Sequence, residues 1–250
     1  MPTWLGQIRQ RLGPITFGLL AANVLIHLVF LLTVDRSGAG IMAALYNNHL
    51  ALSPRALLTG QLWTLVTYGF LHDLSDPFHL LFNMLVLAGI GPQFERTWGG
   101  RRFLRFFLTS VVGGGVVQGV ASLVTSSETV GASAGVLGLI VAYANYFPDA
   151  KMQLFFVLPV PVRHIVPIGL AIDAIFALSG AHVAVFAHIG GIAAAYWSLM
   201  PGRPRDRVVR IAAMIAQKLA QLRGKAPKAR HLHSVDLNKT PRPGRRDHWN

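Results

Sequence analysis

Ser133 stands in the stretch GASAGVLGL and His188 in AHVAVFAHIGG, each inside a long apolar segment. A serine hydroxyl is a weak nucleophile until a neighbouring base takes its proton, and a neutral imidazole is well suited to that task. Together they could form an acyl-transfer pair. His79 and Asn83, in HLLFN, are four residues apart and share one helical face. Both can donate hydrogen bonds. Near the serine they could stabilise an oxyanion, alongside the backbone N–H groups at a helix start. Each residue also has a plainer reading. Gly131, Gly135 and Gly138 suit close helix packing, with the serine incidental. His188 could satisfy a backbone carbonyl. A zinc site at His79 is disfavoured, because no HExxH pattern is present and asparagine is a poor zinc ligand.

The composition sets the solvent around these residues. The chain has 250 residues, 52% of them hydrophobic and 13% charged, with a mean hydropathy of +0.46. Soluble domains carry nearly twice that charge fraction, so several membrane spans are expected. The net charge of +13 is concentrated after Met200, where a basic tail suits anionic lipid better than nucleic acid. With no cysteine, thiol nucleophiles, disulfides and Cys-based metal sites are excluded. No cofactor is expected.

The elements that must position the polar residues follow from the apolar runs. Six spans are expected, at Pro14–Val34, Pro77–Pro92, Phe103–Val124, Gly131–Phe147, His164–Leu178 and Ala181–Met200. Arg9 and Arg11 precede the first run, and no small-residue cleavage site follows it before Asp35. It therefore reads as a retained span. Residues 38–72 suit an interfacial loop with short helices. The inner segments then carry Arg9, Arg11, Arg96, Arg101, Arg102, Arg105, Lys151, Arg163 and the tail, against Arg36 and Arg55 outside. Both termini are expected in the cytoplasm by this asymmetry. The fold class is an all-α membrane bundle. Its layout is a cytoplasmic N-terminus (1–14), a six-span domain (15–200), a basic amphipathic helix (201–224) and a basic disordered tail (225–250). In the helix, Val208, Ile211, Ile215, Leu219 and Leu222 fall on one face.

Depth can be counted along these spans. Ser133 falls roughly 9 Å below the outer surface and His188 about 11 Å, at 1.5 Å per residue. His79 and Asn83 fall in the same layer. Other intramembrane polar residues need a reason too. Asp173 has no depth-matched basic partner and reads as lining an aqueous cavity or bonding neighbouring polar groups. His27 reads as structural, His72 as facing water, and Glu95 with Arg96 as structuring the inner turn before Trp98-Gly99-Gly100.

Taken in order, several motifs resemble the rhomboid family over roughly residues 15–200. They are LLAANVLIHLVF, QLWTLVTYGFLH, HLLFN, FERTWGGRRFLRFF, GASAGVLGL, LFFVLPVPVRHIVPIGLAIDAIFAL and AHIGG. The resemblance implies a Ser133–His188 catalytic dyad without an aspartate, and an oxyanion hole of His79, Asn83 and the Ser133 N–H. It implies membrane-spanning protein substrates cut near the outer face of the bilayer, in a bacterial cell membrane. The sequence departs from the family pattern at Ala134, where glycine is common, and at Leu137, where an aromatic often supports the histidine. It also departs at Thr64 after Trp63, and in a spacing between His72 and His79 that is two residues longer than usual. A catalytically inactive relative that binds or dislocates membrane clients is the alternative, although such relatives typically lack the serine or histidine. A transporter would show inverted repeats, and no clear repeat is found.

Overall fold

The structure is a computed structural model that describes residues 4–35, 39–154, 157–178, 184–202 and 204–222. The chain divides into two units, Met1–Met200 and Pro201–Asn250.

The first unit is built from helices. A short α1 (Trp4–Leu12) leads into α2 (Pro14–Thr33), which starts at Pro14, where a missing N–H costs nothing. The loop after it holds α3 (Ile41–Leu45), a π-turn at Tyr46–Leu50, α4 (Pro54–Leu58), α5 (Thr64–Thr67) and a 3-10 turn at Tyr68–Phe70. Next come α6 (Pro77–Trp98), α7 (Gly100–Thr125) and α8 (Ser133–Tyr146). An antiparallel hairpin, β1 (Lys151–Leu154) and β2 (Leu158–Pro161), separates α8 from α9 (Ile165–Leu178). The unit ends with α10 (Val185–Leu199).

Of these, α2, α6 and α7 are long and apolar enough to cross a membrane; α8 and α10 are shorter apolar helices of 14 and 15 residues. Expected boundaries hold best where a turn residue marks them. Asp76 caps α6 by accepting from Phe78 N–H at 3.0 Å, with Pro77 in the first turn. At its other end α6 runs through Pro92 to Trp98, beyond the expected stop. A proline inside an apolar helix is tolerated when neighbouring elements enclose the freed backbone, and Pro92 is buried.

Polarity is arranged inside out. Leu25, Leu32, Phe78, Val120, Val124 and Leu178 are exposed, whereas Thr16, Asn23, His27, Ser110, Gln118 and Ser122 are buried. Water would not tolerate so much apolar surface, but a lipid belt would. Between helices, small residues replace bulk. A Cβ on Gly190 would lie 2.4 Å from Gly113 O, and one on Gly191 would lie 2.6 Å from Ala134 O. These clashes show that α10 touches α7 and α8 backbone to backbone. Larger side chains, chiefly Phe103, Phe107, Leu87, Val111 and Leu139, fill the core around that seam.

At its base, the Glu95 carboxylate clasps the start of α2. It accepts from Ile15 N–H (2.8 Å), Thr16 N–H (2.7 Å) and the Thr16 hydroxyl (2.8 Å). Gly13 admits this contact with φ +86°, and a Cβ there would lie 2.6 Å from the carboxylate. Glu95 thus caps α2 from 79 and 80 positions away, whereas the sequence associates it with the turn at Trp98-Gly99-Gly100. Arg96 joins it by donating to Arg11 O at 3.1 Å.

The second unit contains α11 (Pro204–Leu222), with Val208, Ile215 and Leu219 exposed. The expected tail at 225–250 lies outside the described residues.

Candidate active site

Ser133 is the first residue of α8, and the loop before it is pinned on several sides. Leu52 and Thr129 exchange both backbone hydrogen bonds, at 3.1 and 2.9 Å. Gly131 N–H donates to Tyr68 O at 2.9 Å, and the buried Tyr68 hydroxyl donates to Val111 O at 2.7 Å. Ala132 N–H faces His72 Nε2 at 3.5 Å. Gly131 has φ +133°, a conformation that favours glycine. Internal bonding of α8 begins with Val136 N–H to Ala132 O. The N–H groups of the first turn, including that of Ser133, thus have no acceptor within the helix.

The seam of small residues places His188. His188 lies on α10, one residue after the fully packed Ala187 and three before Gly191, which presses on Ala134 of α8. His188 Nε2 is 2.8 Å from Ser133 Oγ. On the other side of the ring, His188 Nδ1 is 2.6 Å from Asp173 Oδ2 of α9. Both side chains of that pair are largely buried, at 15% and 16% exposed. Gln118 of α7 secures the start of α10 by accepting from Ala187 N–H at 3.2 Å, and its amide donates to Ser127 Oγ at 3.0 Å.

Ser133, His188 and His79 open on a common cavity of about 920 Å³, with Gln118, Asp73, Asp76 and Ala174 also on its wall. His79 is beside the serine: a Cβ on Gly131 would lie 2.6 Å from His79 Nε2 and 3.6 Å from Ser133 Oγ. Asn83, one turn further along α6, is buried and is not among the residues lining that cavity. Its amide donates to His79 O at 2.8 Å. The structure therefore brings three of the four expected residues to one cavity.

His72 does not face water. It is fully buried, edge-on to His79 (ring centroids 5.1 Å apart) and to His27 (6.5 Å). The loop folds inward because Tyr46 donates its hydroxyl to His72 O at 2.7 Å, while Trp63 Nε1 anchors to His49 O at 2.7 Å. Burial, then the nearby His79 and His27, pushes the His72 imidazole down from 6.5 to about 3. Above it, burial opposes the charge of Asp73, but the Ser75 hydroxyl and N–H outweigh it. The carboxyl is held below its usual range. Among the described residues no group of three or more potential ligands could hold a metal.

This order of loop, serine helix and histidine helix can be compared with known proteins. The rhomboid domain family model matches residues 59–204. The chain belongs to the rhomboid family. Within it, the chain is 25% identical over 190 residues to the rhomboid protease GlpG of Yersinia pestis (strain Pestoides F), covering 76% of this chain and 63% of that one. GlpG of Yersinia pseudotuberculosis serotype I (strain IP32953) matches to the same extent. RHOMBOID-like protein 1 of Arabidopsis thaliana is 29% identical over 176 residues, covering 66% of this chain and 38% of the plant protein. The chain thus spans less than two thirds of the length of these relatives. Family and apolar helices together make it an integral membrane protein.

Two residues at this rhomboid site were not assigned to it from the sequence, Asp173 and Gln118. Each is a polar residue in an apolar helix, which is the signal for a functional position.

Proposed function

We propose that this rhomboid is an intramembrane serine endopeptidase that cleaves membrane-spanning proteins near the outer face of the bilayer. The observation carrying the reading is the 2.8 Å contact between Ser133 Oγ and His188 Nε2 at the wall of an open cavity. Ser133 Oγ attacks the scissile carbonyl carbon while His188 Nε2 takes its proton. The C–N bond then breaks and the imidazolium protonates the leaving amine. Water, deprotonated by His188, attacks the acyl-serine. Collapse frees the carboxyl product and returns the proton to Ser133.

His79, the Asn83 amide and the Ser133 N–H are the proposed oxyanion donors. The first-turn position of Ser133 in α8 supports its N–H in that role, and the nearness of His79 to Gly131 and Ser133 supports the imidazole. Asn83 has a second amide hydrogen to offer beyond the one bonded to His79 O. Six spans, with both termini cytoplasmic, complete the proposed topology. The basic α11 faces anionic lipid there.

The test uses the purified chain in detergent or liposomes, with a model transmembrane substrate and a fluorophosphonate probe. Ser133→Ala and His188→Ala should each cut cleavage by about 1000-fold or more. His79→Ala and Asn83→Ala should each lower kcat by about 10²- to 10³-fold. Probe labelling that persists in Ser133→Ala, or cleavage that survives His188→Ala, overturns the assignment.

A further inference from the structure

The second ring nitrogen of His188 is occupied by a residue outside the dyad. Asp173 is the single ionisable side chain of α9, whose sequence IVPIGLAIDAIFAL is otherwise apolar. A carboxylate at such a place is costly unless paired. Its partner is His188 Nδ1, at 2.6 Å. Two carboxylates on the cavity wall are already committed elsewhere: Asp73 accepts from Ser75, and Asp76 caps α6.

We propose that Asp173 is a positioning residue, completing a Ser133–His188–Asp173 triad assembled from α8, α10 and α9. The proposal rests on Ser133 and His188 being nucleophile and base. A carboxylate accepting from Nδ1–H fixes the tautomer in which Nε2 carries the lone pair. That is the nitrogen facing Ser133 Oγ. It also stabilises the imidazolium formed when the serine proton moves. The chain order Ser…Asp…His recurs in soluble hydrolases of unrelated fold, as expected when geometry and not ancestry decides.

The experiment uses the full chain and the variants Asp173→Asn, Asp173→Ala and Asp173→Glu, beside Ser133→Ala and His188→Ala. It reads kcat and KM on a transmembrane substrate, the fluorophosphonate labelling rate of Ser133, and the His188 tautomer from imidazole 15N spectra. Asp173→Asn and Asp173→Ala should lower kcat and the labelling rate about 10- to 1000-fold with KM within about twofold. Asp173→Glu should recover part of the loss. In the parent, the proton should sit on Nδ1, and Asp173→Asn should mix or reverse the tautomers. Parental kcat in Asp173→Asn and Asp173→Ala, beside inactive Ser133→Ala and His188→Ala, overturns this proposal alone. Loss of kcat with an unchanged tautomer also overturns it, since the role would then be structural. A parent His188 protonated on Nε2 overturns it without recourse to any variant. Parental cleavage by Ser133→Ala or His188→Ala overturns the proposed function itself.

Discussion

His72 Nδ1 has no hydrogen-bond partner among the described residues, and burial holds the imidazole neutral down to about 3. The unfolded chain takes up that proton near 6.5, so between the two values it binds more protons than the folded one. The stability tied to neutral His72 is then fully present above pH 6.5 and falls as the pH drops toward 3. The slope is at most about 1.4 kcal/mol per pH unit. Thermal unfolding in detergent from pH 7 to 4 should show this loss, and His72→Gln should flatten it. Sequence reasoning placed His72 in water because its position before α6 is all that a linear reading sees; the hydrogen bond from Tyr46 that turns the loop inward is a long-range contact. Asp173 escaped for a related reason. Counting 1.5 Å per residue puts it about 12 Å from Ile165, while Ser133 is about 20 Å from Tyr146. The comparison assumes that α8 and α9 start from one plane, and the β1–β2 hairpin between them removes that assumption. A histidine, moreover, is as good a partner for a carboxylate as the lysines and arginines considered for it.

Among the elements, the α7–α10 seam determines whether His188 meets Ser133. Gly190→Ala must push Gly113 O aside, and overpacking of this kind costs about 1–3 kcal/mol. It should lower the unfolding midpoint and slow probe labelling of Ser133 together. Gly89→Ala on α6 meets nothing within 4 Å and should be neutral or stabilising by up to about 1 kcal/mol in the same assay. The close-packing role of Gly135 and Gly138 was legible because their spacing is local to one helix, and a Cβ on either would press on Phe107 or Ser110 of α7. Boundaries with strong turn chemistry were also legible, as Pro14 and Pro77 show. The hairpin was not, since strands of four residues with prolines in one of them carry no usable period. The amphipathic face of α11 was expected from spacing, and the proposed attraction to anionic lipid gives a further prediction. A peptide of residues 201–224 should gain helical circular dichroism with anionic vesicles and much less with zwitterionic ones. Equal gain with both would remove the electrostatic part of that reading.

At the scale of the whole molecule, the Glu95 clasp joins residues 79 and 80 positions apart. Glu95→Ala leaves three donors at the start of α2 without their acceptor. It should cost about 3 kcal/mol or more, by the penalty for buried unsatisfied groups. Glu95→Gln, which keeps one oxygen, should cost less. Unfolding by a denaturing detergent compares them directly, and equal stability of parent and Glu95→Ala would show that water replaces the carboxylate. The clasp also sets an order of events during synthesis. At about 5–20 residues per second, α2 leaves the ribosome about 4–16 s before its own cap exists. Over that interval its first turn has no carboxylate to cap it, so the first of the three long apolar helices is fastened only after the second has been made.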